Sequence, residues 1–138
     1  MKKIILLSIF AFSLSASAQI ATPRFGTTAG RDNTGRVLTY GYSEPAYAAT
    51  ITVVPNRFET IYKVATLTGN ASIVSTVTNA HVGDRIVFLF TADATSRTVT
   101  FSTGMIPSAT LVVDISEKAS ATFIFNGTAF MEQSRAKQ

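Results

Sequence analysis

Apolar and polar residues alternate in four runs that fill the stretch from Gly83 to Arg135. The runs are separated by residues typical of turns, and the last one divides into two halves; they cover residues 85–90, 97–101, 110–115, and 121–125 with 128–132. Because side chains along a strand point alternately to opposite faces of a sheet, the apolar residues of each run fall on one face. Short strands in this rhythm predict an all-β sandwich or barrel.

Two further alternating runs, at residues 60–67 and 71–78, precede this stretch, and no long segment has an apolar stripe with helical spacing. We therefore predict a single antiparallel β-sandwich or flattened barrel over residues 60–138. The strand at 85–90 is apolar on both faces, which indicates a strand that is central or covered by a subunit. The predicted core of the domain comprises Ile86 or Val87 with Phe88, Phe90, Val99, Phe101, Leu111, Val113, Phe123 and Phe125.

A two-residue turn is predicted at Asn126-Gly127, between the halves of the last run. Asn and Gly tolerate the positive φ angles that a type I′ hairpin turn requires at both of its central positions. The sequence thus predicts a tight hairpin there.

Residues 19–59 form a region of different composition, rich in Gly and Pro. We predict an N-terminal arm with one or two short strands, at 37–42 and 50–54. Its aromatic residues favour an arm that packs on its own domain or on a neighbour over a disordered one, and we take them as candidates for subunit contacts. They are Phe25, Tyr40, Tyr42 and Tyr47.

The first eighteen residues have the three parts of a secretory signal peptide. Lys2 and Lys3 precede an apolar segment at 4–14, and Ala16-Ser17-Ala18 provides the small residues of a cleavage site. The apolar segment is too short to span a bilayer comfortably. We expect export to the periplasm, cell surface or exterior, a mature chain that begins at Gln19, and no membrane insertion.

The net charge bears on the expected partners, and the absence of cysteine bears on stability. The 138-residue chain has 12 basic and 8 acidic residues and no Cys. Without Lys2 and Lys3 the net charge is about +2, too weak and scattered to indicate nucleic acid binding. An exported domain without disulfides depends on its core or on association between subunits for stability.

Catalytic or metal-binding residues are not indicated. His81 is the only histidine, and a turn role beside Gly83-Asp84 is favoured over a chemical one. Asp84 and Asp93 flank one strand without the spacing of a calcium loop, and turn roles are favoured for them too. The glutamates are isolated in sequence, so the paired carboxylates of a glycosidase are not supported. We predict no catalytic residue, no metal and no cofactor.

Three segments, at 83–94, 97–101 and 123–132, resemble a small β-sandwich domain that is frequent in tailed-phage virion and appendage proteins. They read GDRIVFLFTADA, RTVTF and FIFNGTAFME, and the resemblance extends over about residues 60–135. It implies a structural, commonly trimeric protein without catalytic residues. The signal peptide instead suits an exported bacterial protein that shares the domain, and its Ala18-Gln19 junction resembles those of the Bacteroidota.

We therefore expect a non-enzymatic structural protein, exported or virion-associated, that self-associates as a homotrimer or larger assembly. A cell-surface adhesin or carbohydrate-binding module, with a surface glycan as partner, is the alternative. A hydrolase is a third and much weaker one.

Overall fold

A computed structural model describes residues 29–31 and 37–138, with side chains from residue 38 onward. The predicted signal peptide and Phe25 lie outside these residues. The described residues form an all-β structure without a helix, as the alternating pattern predicted. Its strands are β1 (Ala29–Arg31), β2 (Val37–Leu38), β3 (Tyr40–Ser43), β4 (Thr50–Val53), β5 (Glu59–Lys63), β6 (Ala71–Ser75), β7 (Arg85–Thr91), β8 (Arg97–Phe101), β9 (Met105–Ile106), β10 (Leu111–Val113), β11 (Lys118–Phe125) and β12 (Phe130–Lys137).

Two sheets contain all of these strands except the first two. One sheet has six strands in the order β3-β5-β7-β11-β12-β9, and the other has four in the order β10-β8-β6-β4. β1 and β2 pair only with each other. The region predicted as an arm, residues 19–59, thus contributes β3 and β4 to the two main sheets, and the start of β5 coincides with the predicted boundary at residue 59.

Successive strands from β3 to β8 alternate between the two sheets. Strands two apart in sequence therefore lie side by side, and they are parallel: β3 with β5, β5 with β7, β4 with β6, and β6 with β8. The chain winds as a β-solenoid-like stack, so the prediction of a single antiparallel sandwich or barrel is wrong.

The parallel pairing has a simple geometric cause. Parallel neighbours need a crossover connection of roughly a dozen residues or more. For β3 and β5 that crossover is the segment 44–58, which contains β4 in the opposite sheet. Each short loop therefore leads the chain to the facing sheet, whereas a hairpin would return it to the same one.

The corners of the winding also stack in parallel. Leu67, in the corner after β5, forms a parallel bridge with Ala92 in the corner after β7. The Leu67 N–H donates to the Thr91 carbonyl at 2.8 Å, and the Asp93 N–H donates to the Leu67 carbonyl at 3.2 Å. Since Leu67 is fully buried, the corner closes one side of the core.

The pairings of β11 are antiparallel, as predicted for the whole domain, whereas β9 and β12 are parallel. β11 pairs with β7 on one side and with β12 on the other. The predicted β11–β12 hairpin is confirmed, but the predicted turn type is wrong. Within residues 126–129 only Gly127 has a positive φ, +104°, so this loop is not a type I′ turn. The Asn126 side chain instead accepts the N–H groups of Thr128 and Ala129, at 2.9 and 3.0 Å.

The core lies between the two sheets, and Phe88 is at its centre. This ring is fully buried and contacts four other aromatic rings. Its partners are Tyr62, Phe90 and Phe123 within the six-stranded sheet and Phe101 from the four-stranded sheet, at centroid distances of 5.6–6.0 Å. All of the predicted core residues are buried, with Ile86 rather than Val87 pointing inward.

Replacing the central ring tests this description of the core. We expect Phe88→Ala to lower the free energy of unfolding by about 3–5 kcal/mol, because it removes buried apolar surface and leaves a cavity between the sheets. Urea denaturation measures the change. Val112→Ala is the control, since Val112 is exposed between two buried residues of β10, and it should cost less than about 1 kcal/mol. Equal losses in the two variants would contradict the central role of Phe88.

Candidate functional site

Three of the predicted subunit-contact residues lie in the described part of the chain, and they differ in exposure. Tyr40 and Tyr42 are 59% and 60% exposed on β3, which is an edge strand. Tyr47 is half-buried and packs on the core, and its hydroxyl donates to the Asn70 carbonyl at 3.2 Å. Tyr47 thus contacts its own domain, while Tyr40 and Tyr42 remain available to a partner.

Tyr42 belongs to a small polar network on the surface. Its hydroxyl donates to the Glu44 carboxylate, and Lys63 forms an ion pair with the same carboxylate at 3.2 Å. The hydrogen bond from Tyr42, followed by that from Lys63, lowers the pKa of Glu44, and the bond to Glu44 raises the pKa of Tyr42. These bonds hold the exposed Tyr42 ring in place beside the edge of the sheet.

A polar cleft of about 630 Å³ lies beside these tyrosines, between β3 and the segment from β4 to β5. Its lining includes Tyr40, Tyr42, Arg57 and Thr60. Arg57 has no ion pair with a described residue, and the buried Thr60 hydroxyl has no hydrogen-bond partner among them. The cleft therefore combines two exposed tyrosines with one cationic side chain, that of Arg57.

The face of the six-stranded sheet that points away from the core has apolar side chains interspersed with polar and charged ones. In-register pairing places the side chains of Tyr40, Glu59, Arg85, Ile124, Met131 and Ile106 in one row across the sheet, and Tyr42, Ile61 and Val87 in the next. A third row contains Lys63, Leu89, Ser120 and Ala136. We call the apolar residues of these rows the apolar outer face: Tyr40, Tyr42, Ile61, Val87, Leu89, Ile106, Ile124 and Met131.

Five of these eight side chains are large hydrophobic groups that are substantially exposed, from 38% at Leu89 to 60% at Tyr42. Beside Leu89 the face has a groove of about 320 Å³ whose lining also includes Ser120 and Ala136. Sequence reasoning did not identify Leu89, Ile106 or Met131 as contact residues. A signal was present for Leu89, since the two-sided apolar pattern of residues 85–90 indicated a strand covered on both faces.

The opposite outer face, on the four-stranded sheet, is rich in hydroxyl groups. In-register pairing places Thr50, Ser72 and Thr100 in one row. Thr52 pairs with Val74, and Thr98 pairs with Val112. The two outer faces of the molecule thus differ in chemistry, although the strands behind them are similar.

The residues weighed for catalysis or metal binding have structural roles. Asp84 is buried and accepts the N–H of His81 at 2.9 Å, so both stabilise the turn before β7. Asp93 accepts the N–H of Thr95 at 3.0 Å and pairs with Arg97 through two hydrogen bonds of 2.9 and 2.7 Å. Arg97 thereby lowers the pKa of Asp93. Residues 38–138 bring together no group of three or more metal-ligating side chains.

Glu132 and Arg135 form the most connected polar cluster on β12. The Glu132 carboxylate, almost fully buried, accepts hydrogen bonds from Arg135 at 2.5 and 2.6 Å and from the Ser108 N–H at 2.8 Å. Arg135 also donates to the carbonyls of Thr110 and Ala109, both at 3.0 Å. The cluster therefore fixes the loop between β9 and β10 to β12. The hydrogen bonds from Arg135 lower the pKa of Glu132.

No family model matches the chain, and no curated protein sequence is significantly similar to it. Among the described residues there is no helix of the length and hydropathy that a membrane span requires. The resemblance to tailed-phage appendage domains stays a prediction.

The Glu132–Arg135 cluster predicts a defined pH dependence of stability. A carboxylate whose pKa is lowered in the folded state contributes stability above its unfolded pKa of about 4.3, and the contribution disappears as the pH falls through the lowered value. Glu132→Gln should therefore cost about 1.5–3 kcal/mol at pH 7. The loss relative to wild type should shrink in acid, as measured by urea denaturation between pH 7 and pH 2.

Glu117→Gln is the matched control, because the Glu117 side chain makes no hydrogen bond or ion pair with a described residue. It should follow the wild type within about 0.5 kcal/mol at every pH. A Glu132→Gln loss that stays constant down to pH 2 would contradict the role of the ionised carboxylate.

Proposed function

We propose that this protein is a non-enzymatic structural protein that acts by self-association. The observation that carries the proposal is the apolar outer face of the six-stranded sheet, with its five exposed large hydrophobic side chains. Several large apolar side chains exposed on one face of a protein favour protein–protein contact there, since exposing them to water costs free energy. Its contrast with the hydroxyl-rich face of the other sheet supports a role specific to this surface.

The chemistry of the apolar outer face suits a second copy of the chain. It has one ion pair near its centre, between Arg85 and Glu59 at 3.6 Å, and a second near its edge, between Lys63 and Glu44. Both pairs are internally neutralised, which leaves Lys118 as a cation on this face without an ion pair among the described residues, so two such faces carry little net charge when they approach. A strongly anionic partner, such as nucleic acid, would need more positive charge than this single lysine supplies.

Export to the cell surface or exterior is part of the proposal, and the signal-peptide pattern of residues 1–18 supports it. A chain without cysteines gains no stability from disulfides outside the cytoplasm. Burial of the apolar outer face between subunits would add the stability that a disulfide provides in other exported domains. The virion surface is the alternative location, and the resemblance to tailed-phage appendage domains supports a trimer.

Charged substitutions on the apolar outer face test self-association. The mature wild-type chain should form an oligomer at micromolar concentration, and Leu89→Lys with Met131→Lys should weaken association at least tenfold, or about 1.4 kcal/mol. Native mass spectrometry and sedimentation measure the subunit number. The mass of a single subunit also shows whether the chain begins at Gln19.

Val112→Lys with Ile115→Lys is the control, because it adds the same charge at exposed hydrophobic residues outside the six-stranded sheet. It should leave the oligomer unchanged. A wild-type protein that stays monomeric at all concentrations would overturn the proposal.

A carbohydrate-binding module is the second candidate, and the cleft beside Tyr40 and Tyr42 is the observation that favours it. Exposed aromatic rings can stack on the apolar faces of sugar rings, and a few polar groups beside them fix orientation. Arg57, which lines the cleft, can supply such bonds and would favour an acidic sugar.

Glycan-array binding by the mature chain tests this candidate. Tyr40→Ala with Tyr42→Ala should reduce binding at least tenfold if the cleft holds a glycan. Val112→Ala, on the other sheet, is the control and should bind like the wild type. Loss of glycan binding with an unchanged subunit number would support the module, whereas an array without any bound glycan would exclude it.

A further inference from the structure

Within the described part of the chain, both sheets end in an unpaired edge at the same end of the stack. β3 terminates the six-stranded sheet and β4 terminates the four-stranded sheet. Because the chain winds in parallel from β3 and β4 onward, these two strands form the first turn of the stack. Each has four residues, YGYS and TITV, without a charged residue or a proline.

The other end of the stack is different. The six-stranded sheet ends there in β9, which has two residues, is followed by Pro107 and pairs only with Phe130 and Met131. The rest of β12 is also an edge, and its residues include the charged Glu132, Arg135 and Lys137. The four-stranded sheet ends in the three-residue β10. Very short edge strands and proline are common means by which proteins prevent strands of other molecules from pairing. β3 and β4 are longer, and no described strand pairs with their outer edges, although Pro45 and Pro55 follow them by two residues.

The hydrogen bonds identify which backbone groups of the first turn point outward. Glu59 donates to the carbonyl of Thr39 at 3.3 Å, which directs the peptide groups of Tyr40 and, two residues on, Tyr42 away from β5. On the other sheet, Ser72 donates to Ala49 at 2.8 Å and Thr76 donates to Val53 at 3.0 Å. The same alternation directs the peptide groups of Thr50 and Thr52 away from β6.

We propose that a second copy of this chain binds at the open end, formed by β3 and β4, through strand pairing with both edges. An external partner would have to present two strand edges separated by the distance between packed sheets, about 10 Å. A second copy of the chain has the same two edges at the same separation. A twofold axis across the open end makes each pairing antiparallel and extends both sheets from one molecule into the next.

This inference rests on the proposed function and adds the location and geometry of an interface to it. It is distinct from contact through the apolar outer face, since edge pairing uses backbone groups whereas the face uses side chains. The cleft beside Tyr40 and Tyr42 opens at the same end, so a docked second copy would cover it. Edge pairing and glycan binding in that cleft therefore exclude each other.

Lysines on the open edge provide the test. Thr50→Lys with Thr52→Lys places charge along β4, and the twofold arrangement brings the new charges of both copies to one interface, where they repel. We expect association of the mature chain, followed by sedimentation at several concentrations, to weaken at least tenfold. Thr98→Lys with Thr100→Lys is the matched control, because it adds the same two charges on the same outer face but on β8, which is paired on both sides. It should associate like the wild type.

Hydrogen exchange of the wild-type protein gives a second readout that needs no variant. The amides of Tyr40, Tyr42, Thr50 and Thr52 should exchange at least tenfold more slowly in the associated state than in dilute monomer. Unchanged exchange at these amides on association would overturn the inference.

The outcomes separate the inference from the proposed function. If Leu89→Lys with Met131→Lys dissociates the oligomer while Thr50→Lys with Thr52→Lys leaves it intact, self-association stands and edge pairing is wrong. If the wild type never associates, both are wrong.

Discussion

The aromatic contact between the two sheets, centred on Phe88, is the interaction on which the rest of this structure depends. Phe88 and Phe101 come from different sheets, and each also contacts Phe123 and Phe90. Apolar burial of this kind is the largest favourable contribution to folding, and this chain has no disulfide to add to it. Every strand from β4 to β8 directs at least one buried side chain into the layer between the sheets.

The winding of the chain around that layer gives the molecule two unlike ends. At the C-terminal end the chain reverses into the β11–β12 hairpin, and the edge strands β9 and β10 are short. The first turn has nothing comparable among the described residues, because β1 and β2 pair only with each other. A stack of parallel strands therefore has two different edge strands, whereas a closed barrel has none. Another strand can add at the exposed edge.

The two outer faces extend this asymmetry to side chains. Threonine and serine on the four-stranded sheet satisfy both strand propensity and contact with water. The six-stranded sheet instead exposes Leu89, Ile106 and Met131 on the same face as two tyrosines. Polar side chains at these positions would form the strands equally well. The folding of one chain therefore does not explain why these side chains are apolar. Association with another chain is the reason that we propose.

The sequence by itself determined the strands and the core, because the period of two in residues such as Val99, Phe101, Phe123 and Phe125 depends only on the geometry of an extended chain. It also indicated turn roles for Asp84 and Asp93. The direction of each pairing was decided by tertiary structure, since a short loop can form a hairpin or lead to the facing sheet, and the alternating pattern is the same in both cases. The apolar outer face and the open end exist only through that choice: Tyr40, Leu89 and Met131 are far apart in sequence, and parallel winding with lateral pairing places them on one surface.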